Sequence, residues 1–343
     1  MDTITHALAG YAIVKSGLDK DTGRWGTLAG VSASIFPDVD LVLRLFVGTE
    51  FTIRYHRYLT NSLFLIVPFS LLFAWLFVKV SKVRKFWSFF FIWVVEILAH
   101  TFLDLVTSFG TMILSPLSNH RFTLDWVFII DLFLVLILLL PMIASWFWRE
   151  KSQTLARISI ISAALYIVLC ACNHLWALSL TKAYAREKGL NAQKVASIPQ
   201  PLSPFHWGNF ILTREKIYEG RVNLMGSGRP NPMPNGNFFT RILTRYPPIR
   251  YAQYKSWDRY QESPWVEKAL ALDGVQAFLW FARFPVAQYK GVVDTYHRVT
   301  LFDLRYGALE DRRPFLYVVD FDEKGNVIHQ GFIKRKLPFF KKE

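Results

Sequence analysis

Residues 87–109, WSFFFIWVVEILAHTFLDLVTSF, decide how this chain is read. The run is long enough to cross a hydrocarbon core as a helix, which takes about 20 mostly apolar residues. It also carries Glu96, His100 and Asp104 at intervals of four. On a helix such residues drift only about 40° per step and share one face. Ionisable groups inside a span are costly, and their presence there argues for function.

Outward from this run, three more stretches are apolar enough to cross: Asn61–Val80, Phe122–Trp148 and Ile158–Leu180. The opening is different. Ile4–Val14 and Trp25–Phe36 are each too short, and Gly17, Asp19, Asp21 and Gly23 between them are turn residues, so a hairpin of two short helices is expected. A single crossing from Trp25 to Val47 would bury Asp38, Asp40 and Arg44, at greater cost. The composition agrees with a membrane chain: 52% of the 343 residues are hydrophobic and only 19% charged, against about 25% charged in ordinary soluble domains. Residues 1–180 hold all the long apolar runs, with 14 Lys/Arg against 11 Asp/Glu. Residues 181–343 hold 26 against 15, and read as a separate soluble domain. Cys170 and Cys172 lie in an apolar run and read as buried packing. No signal peptide is evident, so the spans themselves are expected to direct insertion.

Basic residues near the span ends set the expected orientation. Lys79, Lys82, Arg84 and Lys85 share one loop, Arg149, Lys151 and Arg157 another, and Lys15, Lys20 and Arg24 the first turn. By the positive-inside rule these face the cytoplasm. The loops at Pro37–Leu59 and Gly110–Arg121, and the C-terminal domain, then lie outside. On that topology His6, Asp38, Asp40, His56, His100 and Asp104 come from separate stretches to one level near the outer surface. Imidazoles and carboxylates so gathered suit a divalent metal, zinc first, with manganese or iron as rivals. Each piece also has a plainer reading: Asp40 as a helix N-cap, His6 as a hydrogen-bonded interfacial residue, and Glu96, His100 and Asp104 as polar contacts between helices. His174 has no comparable partners and reads as structural.

Four blocks resemble the YdjM-type family of bacterial inner-membrane proteins, described as metal-dependent hydrolases. They are Met1-Asp2-Thr3-Ile4-Thr5-His6 with Gly10; Phe36-Pro37-Asp38-Val39-Asp40; His56-Arg57-Tyr58-Leu59-Thr60-Asn61-Ser62; and His100-Thr101-Phe102-Leu103-Asp104 followed by Thr107, Gly110, Pro116 and Arg121. The resemblance implies a helical membrane domain with a metal site. The third block in such proteins usually reads His-Arg-x-x-Thr-His-Ser, and here Asn61 takes the second histidine's place. Asparagine is a poorer ligand for a transition metal than imidazole. Either position 61 is not a ligand position, or metal is held more weakly, or catalysis is lost and the scaffold kept. The longer members are similar in the tail too, through Ser203–Trp207, Phe302-Asp303-Leu304-Arg305-Tyr306-Gly307 and Lys324-Gly325-Asn326.

The tail reads as an α+β domain around an antiparallel sheet. A helix leaving the membrane is expected over Thr181–Val195, strands at Phe210–Ile217, Gly220–Met225, Phe238–Leu243, His297–Leu304, Phe315–Asp322 and Val327–Lys334, and a helix at Pro264–Phe284. The Gly- and Pro-rich Met225–Asn237 stretch reads as a surface connection, or as a lid over the membrane site. The expected protein is thus a multi-pass bacterial plasma-membrane protein, a polytopic α-helical domain over 1–180 followed by an extracytoplasmic α+β domain over 181–343. Its expected activity is metal-dependent hydrolysis of a membrane lipid or envelope-derived substrate, with no nucleic-acid partner. His6, His56, His100 and Asp104, with Asp38 or Asp40, would hold the metal; Asp40 would serve as general base, and Arg57 and Arg121 would stabilise a developing anion. The rival readings are a non-catalytic scaffold or regulator, and a carrier using Glu96, His100 and Asp104 as a relay.

Overall fold

The computed structural model describes residues 1–40, 47–228, 240, 243–307 and 314–333. Two helices open the chain, α1 (Thr3–Ile13) and α2 (Arg24–Ile35). Asp2 caps the first by accepting from Thr5 N, and a distorted turn with Gly17 at φ 139° reverses the chain between them. This is the hairpin that the turn residues predict. Pro37 follows in a short tight turn, Phe36–Val39, so no single helix runs from Trp25 to Val47. After α3 (Thr49–Tyr55) come α4 (Ile66–Ser81), α5 (Phe86–Leu105), α6 (Leu132–Phe147) and α7 (Ser152–Glu187).

Among the described residues, two helices are long and apolar enough to cross a membrane, Phe86–Leu105 and the long helix within Arg149–Glu187. The bent pair Thr49–Asn61 and Ile66–Ser81, at 74°, makes a third if it is one span, and α6 is a shorter apolar helix. The expected crossing at Phe122–Trp148 therefore does not form one helix. Its first third is non-helical: Phe122 pairs with Thr111, Asp125 adopts φ 58°, and Asp131 caps α6 by accepting from Leu134 N. The α1–α2 hairpin lies between two helix pairs. One core joins Val14, Ala29 and Ala33 to Phe89, Trp93 and Ile97 of α5 and Ala74 of α4. Another joins Ala9 to Leu103, Leu134, Leu138, Tyr166 and Ile167. Small residues allow this close approach: a Cβ on Gly30 would lie 2.1 Å from Val14 Cγ2. The outward faces are apolar, with Trp75, Phe91, Leu140, Leu165 and Val168 exposed, as lipid contact requires. Cys170 is buried as expected, but Cys172 faces outward on the same helix.

Among its described residues the tail forms two antiparallel four-stranded meanders, where the sequence suggests one sheet. The first orders β1 (Lys194–Pro199), β2 (His206–Leu212), β3 (Lys216–Asn223) and β4 (Tyr254–Asp258); the second orders β5 (Pro285–Val293), β6 (Tyr296–Asp303), β7 (Tyr317–Phe321) and β8 (Val327–Phe332). The expected helix over Thr181–Val195 is the end of α7, which stops at Glu187, after which β1 begins. The expected strand Phe210–Ile217 spans two strands and the turn at 213–215 between them. Strands β4 and β5 carry weaker alternation and are not anticipated. The helical stretch is realised as α8 (Pro264–Leu270) and α9 (Asp273–Phe281), which pack Val266, Ala269 and Phe278 on Val299, Leu301, Val319 and Phe321. Ile198, Phe210 and Ile217 of the first sheet meet Val286 and Phe302 of the second and Phe284 just before it. Most of the Met225–Asn237 loop and of the Phe238–Leu243 strand lies outside the described residues.

The tail is seated directly on the helical part. Ile53 and Phe109 form one apolar cluster with Phe281. Arg283 grips Asp125 with two 2.7 Å bonds, and Arg305 donates to Ser108 O at 2.8 Å. Burial alone would raise the Asp125 carboxyl, but the guanidinium of Arg283 holds it below the usual carboxylate value.

Candidate metal centre

Helix α5 runs unbroken through Glu96, His100 and Asp104, and the three side chains are buried on its inner face. The α1–α2 hairpin and the turn that follows it bring His6 and Asp38 to the C-terminal end of that face. His6, Asp38, His100 and Asp104 are all buried, and each offers one ligand atom within 4.8 Å of the others'. This group could hold a metal ion. His100 Nε2 lies 3.3 Å from Asp104 Oδ2 and 3.7 Å from Asp38 Oδ1, and His6 Nε2 lies 3.2 Å from Asp104 Oδ1. The two imidazoles stack with centroids 3.6 Å apart.

The supporting contacts fit a ligand set. His100 Nδ1 faces Ser34 O at 2.6 Å, where only an N–H can bond, and this contact directs Nε2 towards the carboxylates. Thr3 Oγ1 donates to Asp38 Oδ2 at 2.8 Å. His6 Nδ1, Asp38 Oδ1 and His100 Nε2 are buried without a hydrogen-bond partner. Orphaned polar atoms of this kind are what a bound cation or water would satisfy. Asp104 is the most heavily engaged member: besides the imidazoles it accepts from the Met1 amine, from Arg57 Nη2 at 2.8 Å and from Asn61 Nδ2 at 3.0 Å.

The remaining candidate residues take separate places. Asp40 Oδ1 and His56 Nδ1 form their own pair at 2.9 Å, and neither belongs to the group of four. Asp40 Oδ2 also accepts from Arg57 N at 3.2 Å, linking the pair to the group. Arg57 is buried at φ 63°, an unfavourable backbone conformation held by Asp40, Asp104 O and Thr107 Oγ1. Arg121 does not reach the group. It donates to Ile53 O at 2.6 Å and Gly110 O at 3.0 Å, and its guanidinium lies 5.4 Å from the Phe109 ring. Burial, then the charges of Arg57 and Arg305, pull its pKa down to about 9. Asn61 is fully buried beside Asp104, in contact with the cluster. Glu96 lies nearer the N-terminus of α5, against Gly10 and Gly30, both carboxylate oxygens without a partner. His174 packs near Trp207, away from the cluster.

Ser34 escapes sequence reasoning, since a main-chain carbonyl carries no spacing signal; Thr3 and Thr107 fall within the resembling blocks, but their hydroxyls carry no spacing signal of their own. Arg283, whose contacts bridge the two parts of the chain, is likewise invisible until the tail is docked.

A helical membrane domain with a buried two-histidine, two-aspartate cluster, joined to a domain of antiparallel sheets, is the class that this fold and site define. The chain belongs to the YdjM inner membrane protein family, whose model matches residues 1–177. That bears out the resemblance carried by the four sequence blocks, and with the apolar helices it supports membrane localisation. A second match, to the YfhP C-terminal alpha/beta plait domain, covers residues 264–335, which contain α8, α9 and the second sheet. No curated protein and no solved structure matches the chain.

Proposed function

We propose that this protein is a membrane-bound, metal-dependent hydrolase of a lipid or cell-envelope substrate. One observation carries the reading: two imidazoles and two carboxylates from distant stretches converge, buried, within 4.8 Å, at a burial cost that packing alone does not repay. His6, Asp38, His100 and Asp104 would hold the ion, and a mixed nitrogen–oxygen set suits zinc first. When bound, such an ion supplies Lewis acidity that polarises an ester or phosphoester oxygen and acidifies water. The Asp40–His56 pair then takes the general-base role, the carboxylate orienting the ring through Nδ1 and leaving Nε2 for the proton. Arg57, held against Asp104, would stabilise a developing anion. Exposed Ile4, Val39, Leu59 and Phe64 flank these residues in sequence and suit a substrate with acyl chains.

The basic residues of the Lys79–Lys85 and Arg149–Arg157 loops favour a multi-pass plasma-membrane protein with the tail outside the cytoplasm. Elemental analysis of detergent-purified protein, beside hydrolysis of lipid and phosphoester substrates, tests the function. Wild type should carry metal and turn over at least one substrate, and Asp38→Ala should lose both. A wild type that stays metal-free after reconstitution with zinc, manganese and iron sinks the proposal.

The second reading is a non-catalytic scaffold or regulator. It is favoured by Asn61, which satisfies Asp104 with a hydrogen bond where the related sequences have an imidazole. It expects the fold to be indifferent to metal and the tail to bind a partner.

A further inference from the structure

Between the helical part and the tail lies a cavity of about 510 Å3 that the proposed hydrolytic centre leaves unused. The 109–123 segment forms one side; the start of β1, the end of α9 and the turn after β6 form the other. Arg121, Lys194, Arg283 and Arg305 line it with Phe109 and Trp280, and no Asp or Glu is among the described residues lining it. Two of these cations are already neutralised, Arg283 by Asp125 and Arg305 by Asp303, each at 2.7 Å. Arg121 and Lys194 have no carboxylate within ion-pair distance among the described residues.

Arg121 is fixed before any ligand arrives. Main-chain carbonyls hold its terminal nitrogens, the rings of Phe109, Trp280 and Phe281 lie 5.4, 5.1 and 5.5 Å from its guanidinium, and its Nε is buried with no partner. Lys194, exposed at the start of β1, can swing towards it. Burying a guanidinium with no carboxylate beside it is costly unless an anion joins it, and the neighbouring ammonium adds to that attraction. The one guanidinium N–H that the carbonyls leave, on Nε, and an ammonium together offer donors and positive charge to the oxygens of a phosphoryl group. The volume is within the range of sites for small ligands, about 300–1,000 Å3, so more than a bare phosphate fits.

We propose that this cavity is a phosphoryl-binding site, with Arg121 and Lys194 as its anion contacts, taking either the headgroup of an anionic lipid or a free phosphorylated compound. The inference goes beyond the hydrolase reading and stands without it. The test is calorimetric titration of the full-length protein in a neutral maltoside detergent, with inorganic phosphate and with dihexanoylphosphatidic acid, each in EDTA so that metal coordination cannot account for the signal. Saturable binding of at least one is expected, weakened about tenfold or more by Lys194→Gln, the scale of one charged hydrogen bond. Lys194 is exposed, so this change leaves the fold intact. Binding of the lipid alone identifies the headgroup as the source; binding of phosphate identifies a free compound. No saturable binding of either probe in EDTA, or binding that Lys194→Gln leaves unchanged, overturns the proposal.

Discussion

Asn61 Nδ2 donates a 3.0 Å hydrogen bond to Asp104 Oδ2, joining residues 43 apart in sequence at the centre of the buried cluster. The bond orients a carboxylate that also faces both imidazoles. Asn61→Ala removes a donor and leaves a buried oxygen short, so metal retention should fall by about tenfold, the usual effect of losing a supporting contact. Asn61→His restores the pattern of the related sequences and should raise retention, although the larger ring costs about 1–3 kcal/mol of packing. Metal stoichiometry after dialysis against a weak chelator decides between them; equal values in wild type and both variants would remove position 61 from the site.

The four proposed ligands should act as a set. His100→Ala should lower bound metal by at least about tenfold while size-exclusion behaviour in detergent is kept. Asp40→Asn, at a residue outside the group of four, should retain metal but lose hydrolysis. Loss of metal in Asp40→Asn would instead place that carboxylate among the ligands.

The Asp125–Arg283 clamp fixes the tail to the helical part. Removing one member strands a buried charge, so Arg283→Met should destabilise the protein by about 3–5 kcal/mol, and the double replacement Asp125→Leu/Arg283→Met by less. Thermal unfolding in detergent measures both; additivity of the two single effects would argue against a coupled pair.

The same clamp has a pH signature. Asp125 is held below its ordinary value of 3.8 in the folded protein. Its contribution is therefore complete above that value and is lost as pH falls below it, through the folded value. Unfolding temperature should drop between neutral pH and the acid range more steeply in wild type than in Asp125→Asn. Parallel profiles for the two proteins would show that another group governs acid lability.

Glu96 is buried with no partner for either oxygen. Glu96→Gln keeps the shape and removes the ionisable group, so stability and metal content should be unchanged or improved. A carrier that relays protons inward from His100 would instead lose its transport activity in this variant, which a pH-gradient assay in proteoliposomes would reveal.

Some of this architecture is written in the chain itself. Apolar run lengths mark the helices at 86–105 and 152–187, the Gly17–Gly23 turn marks the opening hairpin, and the interval of four between His100 and Asp104 puts both on one face, because these follow from local periodicity and backbone sterics. The tail strands are less legible: Lys194–Pro199 continues the charged, apolar mixture of the preceding helix, and only pairing with β2 makes it a strand. Likewise 122–131 is apolar enough to extend a span, yet contacts of Phe122 and Asp125 pull it out of helix.

What only the tertiary structure decided is which polar groups meet. Sequence offers six metal-ligand candidates at one level, and packing of the hairpin against α5 gathers four of them, while Asp40 and His56 turn to each other. It also seats Lys194, Arg283 and Arg305 over the sequence-distant 108–123 segment. The physical reason is range: propensity and hydrophobic period act over a few residues, whereas a buried charge is positioned by whichever distant partner offsets its desolvation.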